Sequence, residues 1–173
     1  MGSKIRVGIG YDVHALAAGR KLVLGGVEIF YHKGLDGWSD ADVLVHAVMD
    51  ALLGAAALGD IGTHFPPGDL QYKNLSSLVL LGKVKKLLDT AGWKIGNVDA
   101  MIMAEQPKLK DYMPRMAQNI AKELELSPGD VSVKAGTNEG MGFVGEGKGM
   151  AAQAVALVEK VENNIDATLE PKI

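Results

Sequence analysis

Apolar and polar positions alternate weakly over Ile5–Ile9, which predicts a strand. Leu22–Leu24 and Val27–Ile29 flank Gly25-Gly26 and predict a hairpin or a bulged pair of strands. From about Asp40 to Leu58 the chain is rich in Ala and Leu and predicts a helix, with Ser39 at its N-cap and Asp42 in the place of a capping-box acid. Residues 59–68, GDIGTHFPPG, read as a turn-rich loop. A second helix is predicted over 74–91, stopped by Gly92. A strand follows at Val98–Met103, then a helix capped by Asp111 and ending near Leu126, then a strand at Val131–Ala135. Six glycines fall among the fourteen positions 136–149, so this segment is a loop with special backbone needs. The last apolar stretch, 150–161, fits a helix by its Ala content and a buried strand by its Val-Ala-Leu-Val run. With no internal repeat and no linker, the pattern predicts a single domain over 1–161 and a polar C-terminal tail over 162–173.

Composition narrows the class. A length of 173 residues suits one domain, and with 47% hydrophobic but only 5% aromatic residues, aliphatic side chains and Met must fill its core. The net charge of −3 carries no basic stripe of the kind that binds nucleic acid; Lys83, Lys85 and Lys86 read as a solvated helix face. There is no cysteine, so disulfides are excluded and any metal must be held by His, Asp or Glu, which fits an intracellular protein. No apolar run reaches the roughly 18 residues of a membrane span, and the N-terminus is not a signal peptide.

Candidate chemistry gathers at Asp12-Val13-His14. On an extended segment, residues two apart point to one side, so a carboxylate and an imidazole converge. Catalytic zinc takes three such ligands and keeps a position open, and His46 is the candidate third. Asp42 and Asp50 lie four residues to either side of His46, where either carboxylate can accept its second ring N–H. Spacing alone also fits a chance Asp-x-His and a helix His that makes only a surface hydrogen bond with a neighbouring Asp. His32 and His64 read as surface or loop residues. Thr137 and Glu139, two apart after a strand, offer a hydroxyl and a carboxylate for a phosphate and a divalent cation, or ordinary turn chemistry. Gly140, Gly142 and Gly145 match G-x-G-x-x-G, but too little chain follows to complete a dinucleotide-binding unit, and the Gly145–Lys148 segment lacks the Ser or Thr of a P-loop.

Five ordered segments, GYDVHAL (10–16), LGGVEI (24–29), SDADVLVHAVMDALLGAAALGDIGTHFP (39–66), GNVDAMIMAEQPKL (96–109) and VKAGTNEGMGFVGEG (133–147), resemble the 2-C-methyl-D-erythritol 2,4-cyclodiphosphate synthases. The resemblance implies a two-layer α+β fold, a mixed four-stranded sheet with helices on one face, in which 150–161 is a strand. It implies a homotrimer with active sites at subunit interfaces, one subunit giving metal ligands and its neighbour much of the nucleotide pocket. The implied reaction belongs to the non-mevalonate isoprenoid pathway: 4-diphosphocytidyl-2-C-methyl-D-erythritol 2-phosphate is cyclised and CMP leaves. Zinc would sit on Asp12, His14 and His46, and Mg²⁺ or Mn²⁺ on Glu139, the cations acting as Lewis acid and template. Ser39 falls where the family holds phosphate, Asp60 and Gly62 where it holds the methylerythritol part, and Ala104, Lys108, Ala135 and Thr137 where it contacts CMP. Such an enzyme is cytoplasmic in bacteria, or plastid-located where a transit peptide has been removed.

The chain departs from the common family pattern at three places. Trp38 stands where a His often precedes the Ser-Asp pair, and Gly136 replaces a Thr. Glu146 and Lys148 reverse the usual Arg-then-Glu order in the segment that lines the family's central channel, which implies a weakened central anion site. Two other readings use the same residues: a zinc phosphohydrolase on this scaffold, and a non-enzymatic trimeric binding protein with structural zinc. A closed four-ligand zinc site would favour the latter, and the sequence offers three ligands.

Overall fold

A computed structural model describes residues 4–161; the tail expected at 162–173 lies outside the described residues. In chain order the elements are β1 (Ile5–Ala18), β2 (Leu22–Leu24), β3 (Val27–Ile29), β4 (Lys33–Leu35), α1 (Val43–Ala56), α2 (Ile61–His64), α3 (Ser77–Thr90), β5 (Trp93–Met103), α4 (Met113–Glu123), β6 (Val131–Gly136), α5 (Gly142–Gly145) and β7 (Gly149–Lys160). The main sheet has the order β4-β1-β7-β5-β6, antiparallel except for the parallel β5–β6 pair, and β2–β3 form a separate hairpin.

The sheet therefore has five strands rather than the expected four; the short β4 pairs with the far end of β1 through Leu16 and Leu35. β1 is also longer than the expected 5–9, because it pairs with β7 continuously from Ile5↔Glu159 to Ala15↔Gly149. The ambiguous stretch at 150–161 is a strand, its alternate residues Ala152, Ala154, Ala156 and Val158 buried.

α1 lies against the sheet and is buried on nearly every side, as a helix apolar all round should be. Its approach is set by two glycines of β1. A Cβ on Gly8 would stand 2.0 Å from Ala51 O, and one on Gly10 1.9 Å from Ala47 O, so only glycine lets strand and helix backbones come this close. The next residues on that same face of β1 are Asp12 and His14, and the next on α1 is His46. Close packing of backbone thus carries the candidate ligands into one place.

Among the described residues, the opposite face of β1 is apolar and exposed: Ile5, Val7, Ile9, Tyr11 and Val13 are 45–64% exposed. Val155 and Leu157 of β7 lie opposite Ile9 and Val7 in the register and extend the patch. Among the described residues no helix is long and apolar enough to cross a membrane.

Helix ends differ from expectation in two places. The cap of α1 is Asp42, whose side chain accepts from Val45 N, and not Ser39. Ala41 has φ 56°, which keeps residues 39–42 in a turn and delays the helix. α4 starts at Met113 behind Tyr112, not behind Asp111, with Pro114 in its first turn. Gly92, with φ 73°, follows α3 as expected.

Candidate metal and substrate site

Asp12 Oδ2 lies 2.9 Å from His14 Nε2 and 2.9 Å from His46 Nδ1, and the two nitrogens are 3.1 Å apart. Among the described residues this is the one cluster of three or more His, Asp or Glu ligands with metal-holding geometry. The edges of a tetrahedral zinc site with His and carboxylate ligands are about 3.3 Å, so the triangle needs only a slight expansion to take the ion. The donor set, two imidazoles and one carboxylate with a fourth side facing a cavity, fits a metal with an open position.

The second nitrogens of the two histidines are held. His14 Nδ1 donates to Asp36 O at 2.6 Å, which turns Nε2 toward the cluster. His46 Nε2 faces two hydroxyls, Ser77 Oγ at 2.9 Å and Ser39 Oγ at 3.2 Å. Neither expected acid serves His46. Asp42, fully buried, spends its carboxylate on the N–H groups of Gly25, Gly26 and Val45. Asp50 accepts from Ile61 N at 2.8 Å and so anchors the loop after α1.

Charge follows from these contacts. Burial opposes ionisation of Asp12, but the hydrogen bond from His14 and the close approach of the His46 ring outweigh it and hold the carboxyl well below the usual carboxylate range. Burial likewise opposes protonation of His14, and the hydrogen bond and charge of Asp12 overcome it and raise its pKa. At Asp42 burial dominates, joined by the charge of Asp40, and three backbone N–H bonds only partly offset it; its pKa is pushed up to about 6. Burial also raises Asp50.

The cluster opens on a cavity of about 270 Å³ whose lining includes Asp12, His14, Trp38, Ser39, His46 and Gly62. Its remaining wall is apolar, with Met49, Ile61, Phe65, Pro67, Tyr72 and Leu80. Asp60 caps α2 through Thr63 N and Thr63 Oγ1, both bonds falling on Oδ1. Trp38 makes the rim: its indole N–H donates to Asp69 O at 2.8 Å, and its carbonyl accepts from Asn74 N.

The remaining expected residues gather elsewhere. Ala104, Lys108, Ala135 and Thr137 line one cavity of about 440 Å³ beside Gly136. Thr137 Oγ1 donates to Glu139 Oε1 at 2.6 Å, and Glu139 stands at φ 52°. Glu105, which the sequence did not single out, accepts from Asn138 N and Gly140 N at 3.0 Å each and so fixes the turn that presents Glu139. In the strand register, Asp12, Ala152, Ile102 and Ala135 fall on one row. Three strand spacings, about 14 Å, therefore separate the cluster from this second cavity within one chain.

His32 packs at a tilt against Tyr31 and His64 bonds Leu58 O; neither joins the cluster. Glu146 and Lys148 form an ion pair with each other.

The YgbB family model matches residues 5–159. A 2-C-methyl-D-erythritol 2,4-cyclodiphosphate synthase of Dehalococcoides mccartyi is 59% identical over 156 residues, covering 90% of this chain and 99% of that relative. The same-named protein of Clostridium kluyveri is 56% identical over 163 residues, covering 94% and 99%. Among solved structures, IspF from Plasmodium falciparum in complex with CDP superposes with a TM-score of 0.81 at 32% identity, covering 94% of this chain and 100% of that one. The bifunctional IspDF of Campylobacter jejuni gives a TM-score of 0.88 at 41% identity over 91% of this chain, which spans 43% of that longer protein.

Proposed function

The chain belongs to the YgbB family, and on that premise we propose how its residues carry out the family's reaction. The protein is a 2-C-methyl-D-erythritol 2,4-cyclodiphosphate synthase: it converts 4-diphosphocytidyl-2-C-methyl-D-erythritol 2-phosphate to the cyclic diphosphate and CMP. An oxygen of the 2-phosphate forms a bond to the β-phosphorus, the bond from that phosphorus to the bridging oxygen breaks, and CMP departs with that oxygen. As a phosphorus–oxygen lyase of this kind, it needs positioning and charge neutralisation more than covalent help. The observation that carries the reading is the convergence of Asp12, His14 and His46 at the mouth of a cavity lined by Ser39 and Gly62.

Asp12, His14 and His46 would hold Zn²⁺, and Glu139 would hold Mg²⁺ or Mn²⁺; when bound, these cations polarise and neutralise the diphosphate. Ser39 donates to a phosphate oxygen. Gly62, which lines the same cavity, and Asp60 two residues before it hold the methylerythritol hydroxyls, and the cavity's apolar wall excludes water. Lys108 serves as a point charge for phosphate, and Ala104, Ala135 and Thr137 seat the CMP part. No side chain is needed to take a proton from the nucleophile, because a phosphate is already ionised. Folding both ends of one flexible molecule together supplies much of the rate.

We further propose a homotrimer with the active site between subunits. Two observations support it: the uncovered apolar face of β1 and β7, and the separation of about 14 Å between the metal cluster and the nucleotide cavity, which a neighbouring copy can close. The Glu146–Lys148 pair supports a central channel with little affinity for an isoprenoid diphosphate, since each acid would face the axis with its own cation. The enzyme works in the cytoplasm of a bacterial-type cell. Following CMP release by chromatography tests the reading: release that needs zinc and stops with a chelator is expected, and an intact substrate would contradict it.

A further inference from the structure

His46 has two ring nitrogens with different surroundings. Nδ1 faces Asp12 and His14, and Nε2 faces Ser77 Oγ at 2.9 Å. Ser77 is fully buried. Its hydroxyl lies 2.5 Å from Asp40 Oδ1, and its backbone N–H donates to Asp40 Oδ2 at 2.9 Å. A carboxylate oxygen only accepts, so the Ser77 hydroxyl proton is committed to Asp40. What Ser77 then offers His46 is a lone pair, and Nε2 must supply the hydrogen. A neutral imidazole protonated at Nε2 keeps its lone pair on Nδ1.

We propose that Asp40 and Ser77 are positioning residues that lock His46 in the Nε2–H tautomer and so present Nδ1 to the metal. The chain Asp40–Ser77–His46 does for one ligand what the Asp36 carbonyl does for His14. It also decides the state of Ser39. The Ser39 oxygen accepts from Ala41 N at 3.2 Å and lies near an Nε2 that already carries hydrogen. Its hydroxyl proton is left to donate into the cavity that Ser39 lines, where a substrate phosphate oxygen can take it. Ser77 thus serves the metal ligand and frees Ser39 for substrate.

The inference rests on the metal site proposed above, and its test separates the two. Histidine-selective ¹⁵N NMR on the zinc-loaded protein reads the tautomer with no variant that has to fold. A His46 bonded to zinc through Nδ1 with a slowly exchanging Nε2–H is expected; zinc on Nε2 would overturn the inference. Zinc affinity by competition with a chromogenic chelator gives the second readout. Ser77→Ala and Asp40→Asn should each weaken zinc by roughly 10–100-fold, the range for partners of a metal-bound His. The double variant should be no weaker than the worse single one, because the two act as a unit. Affinity within twofold of the parent in Ser77→Ala would overturn it. A parent protein that takes up no zinc would overturn the metal site itself, and the inference with it.

Discussion

Gly10 of β1 and Ala47 of α1 meet backbone to backbone: a Cβ on the glycine would stand 1.9 Å from Ala47 O. Two residues on along β1 is Asp12, and one residue back along α1 is His46, so the distance between these two backbones sets the metal cluster.

Gly10→Ala should therefore push α1 from the sheet. The obstacle is backbone, which cannot turn aside, so the loss of stability is expected to be about 3 kcal/mol or more. Urea unfolding at fixed protein concentration measures it, and chelator competition should show weakened zinc in the same variant. A variant with unchanged stability would mean that the backbones of β1 and α1 do not meet at Gly10 and Ala47.

Zinc binding should release a proton from His14, whose pKa is raised above 6.5 although burial opposes this, because Asp12 outweighs it. Asp12 itself stays ionised. The apparent affinity should then fall by about tenfold per pH unit below the His14 pKa. Chelator competition from pH 8 to pH 5.5 tests this. Asp12→Asn should lose more than the roughly 10–100-fold typical of an outer partner.

Asp42 is a buried carboxyl raised to about 6 from 3.8. A raised folded value means the folded state takes up the proton first on acidification. The associated stability is fully present below 3.8 and lost as pH rises through about 6. Relative to Asp42→Asn, the parent should gain about 2–3 kcal/mol between pH 7 and pH 4. Unfolding of both proteins across that window checks the sign; a difference that stays flat would count against a buried, titrating Asp42.

The exposed face of β1 should hold copies together. Ile9→Lys places a charge in the middle of that apolar face, and sedimentation velocity should show trimers giving way to monomers. Activity should fall by on the order of 100-fold or more as the interface site is lost, while zinc affinity stays near the parent's, because all three ligands belong to one chain. An Ile9→Lys protein that stays trimeric would place the interface elsewhere.

These cases also show how far the sequence could be read. Asp12 and His14 were legible as a pair from their two-residue spacing along a strand, while His46, distant on a helix, was joined to them as a candidate third ligand and by resemblance. The length of β1 was not, because its alternation is inverted: the inward face carries Gly8, Gly10, Asp12 and His14, and the outward face carries Ile5, Val7, Ile9, Tyr11 and Val13. A strand that leaves its apolar side exposed looks, in sequence, like one turned the wrong way. The partner of His46 was not legible either. Asp42 and Asp50 had the right helical spacing, but one is used as a cap and the other as a loop anchor. Ser77, 31 residues away, has no spacing signal at all. Ala104, Lys108 and Ala135 were singled out only by resemblance, and with Thr137 they line one cavity although they come from two strand ends far apart in sequence.

Phosphorus NMR of 4-diphosphocytidyl-2-C-methyl-D-erythritol 2-phosphate incubated with the protein, zinc and magnesium tests the central claim most directly. The predicted result is CMP together with a cyclic diphosphate, absent when His46→Ala replaces the parent. CMP with linear phosphates would contradict it, since water rather than the substrate's own phosphate would then be the nucleophile on this scaffold.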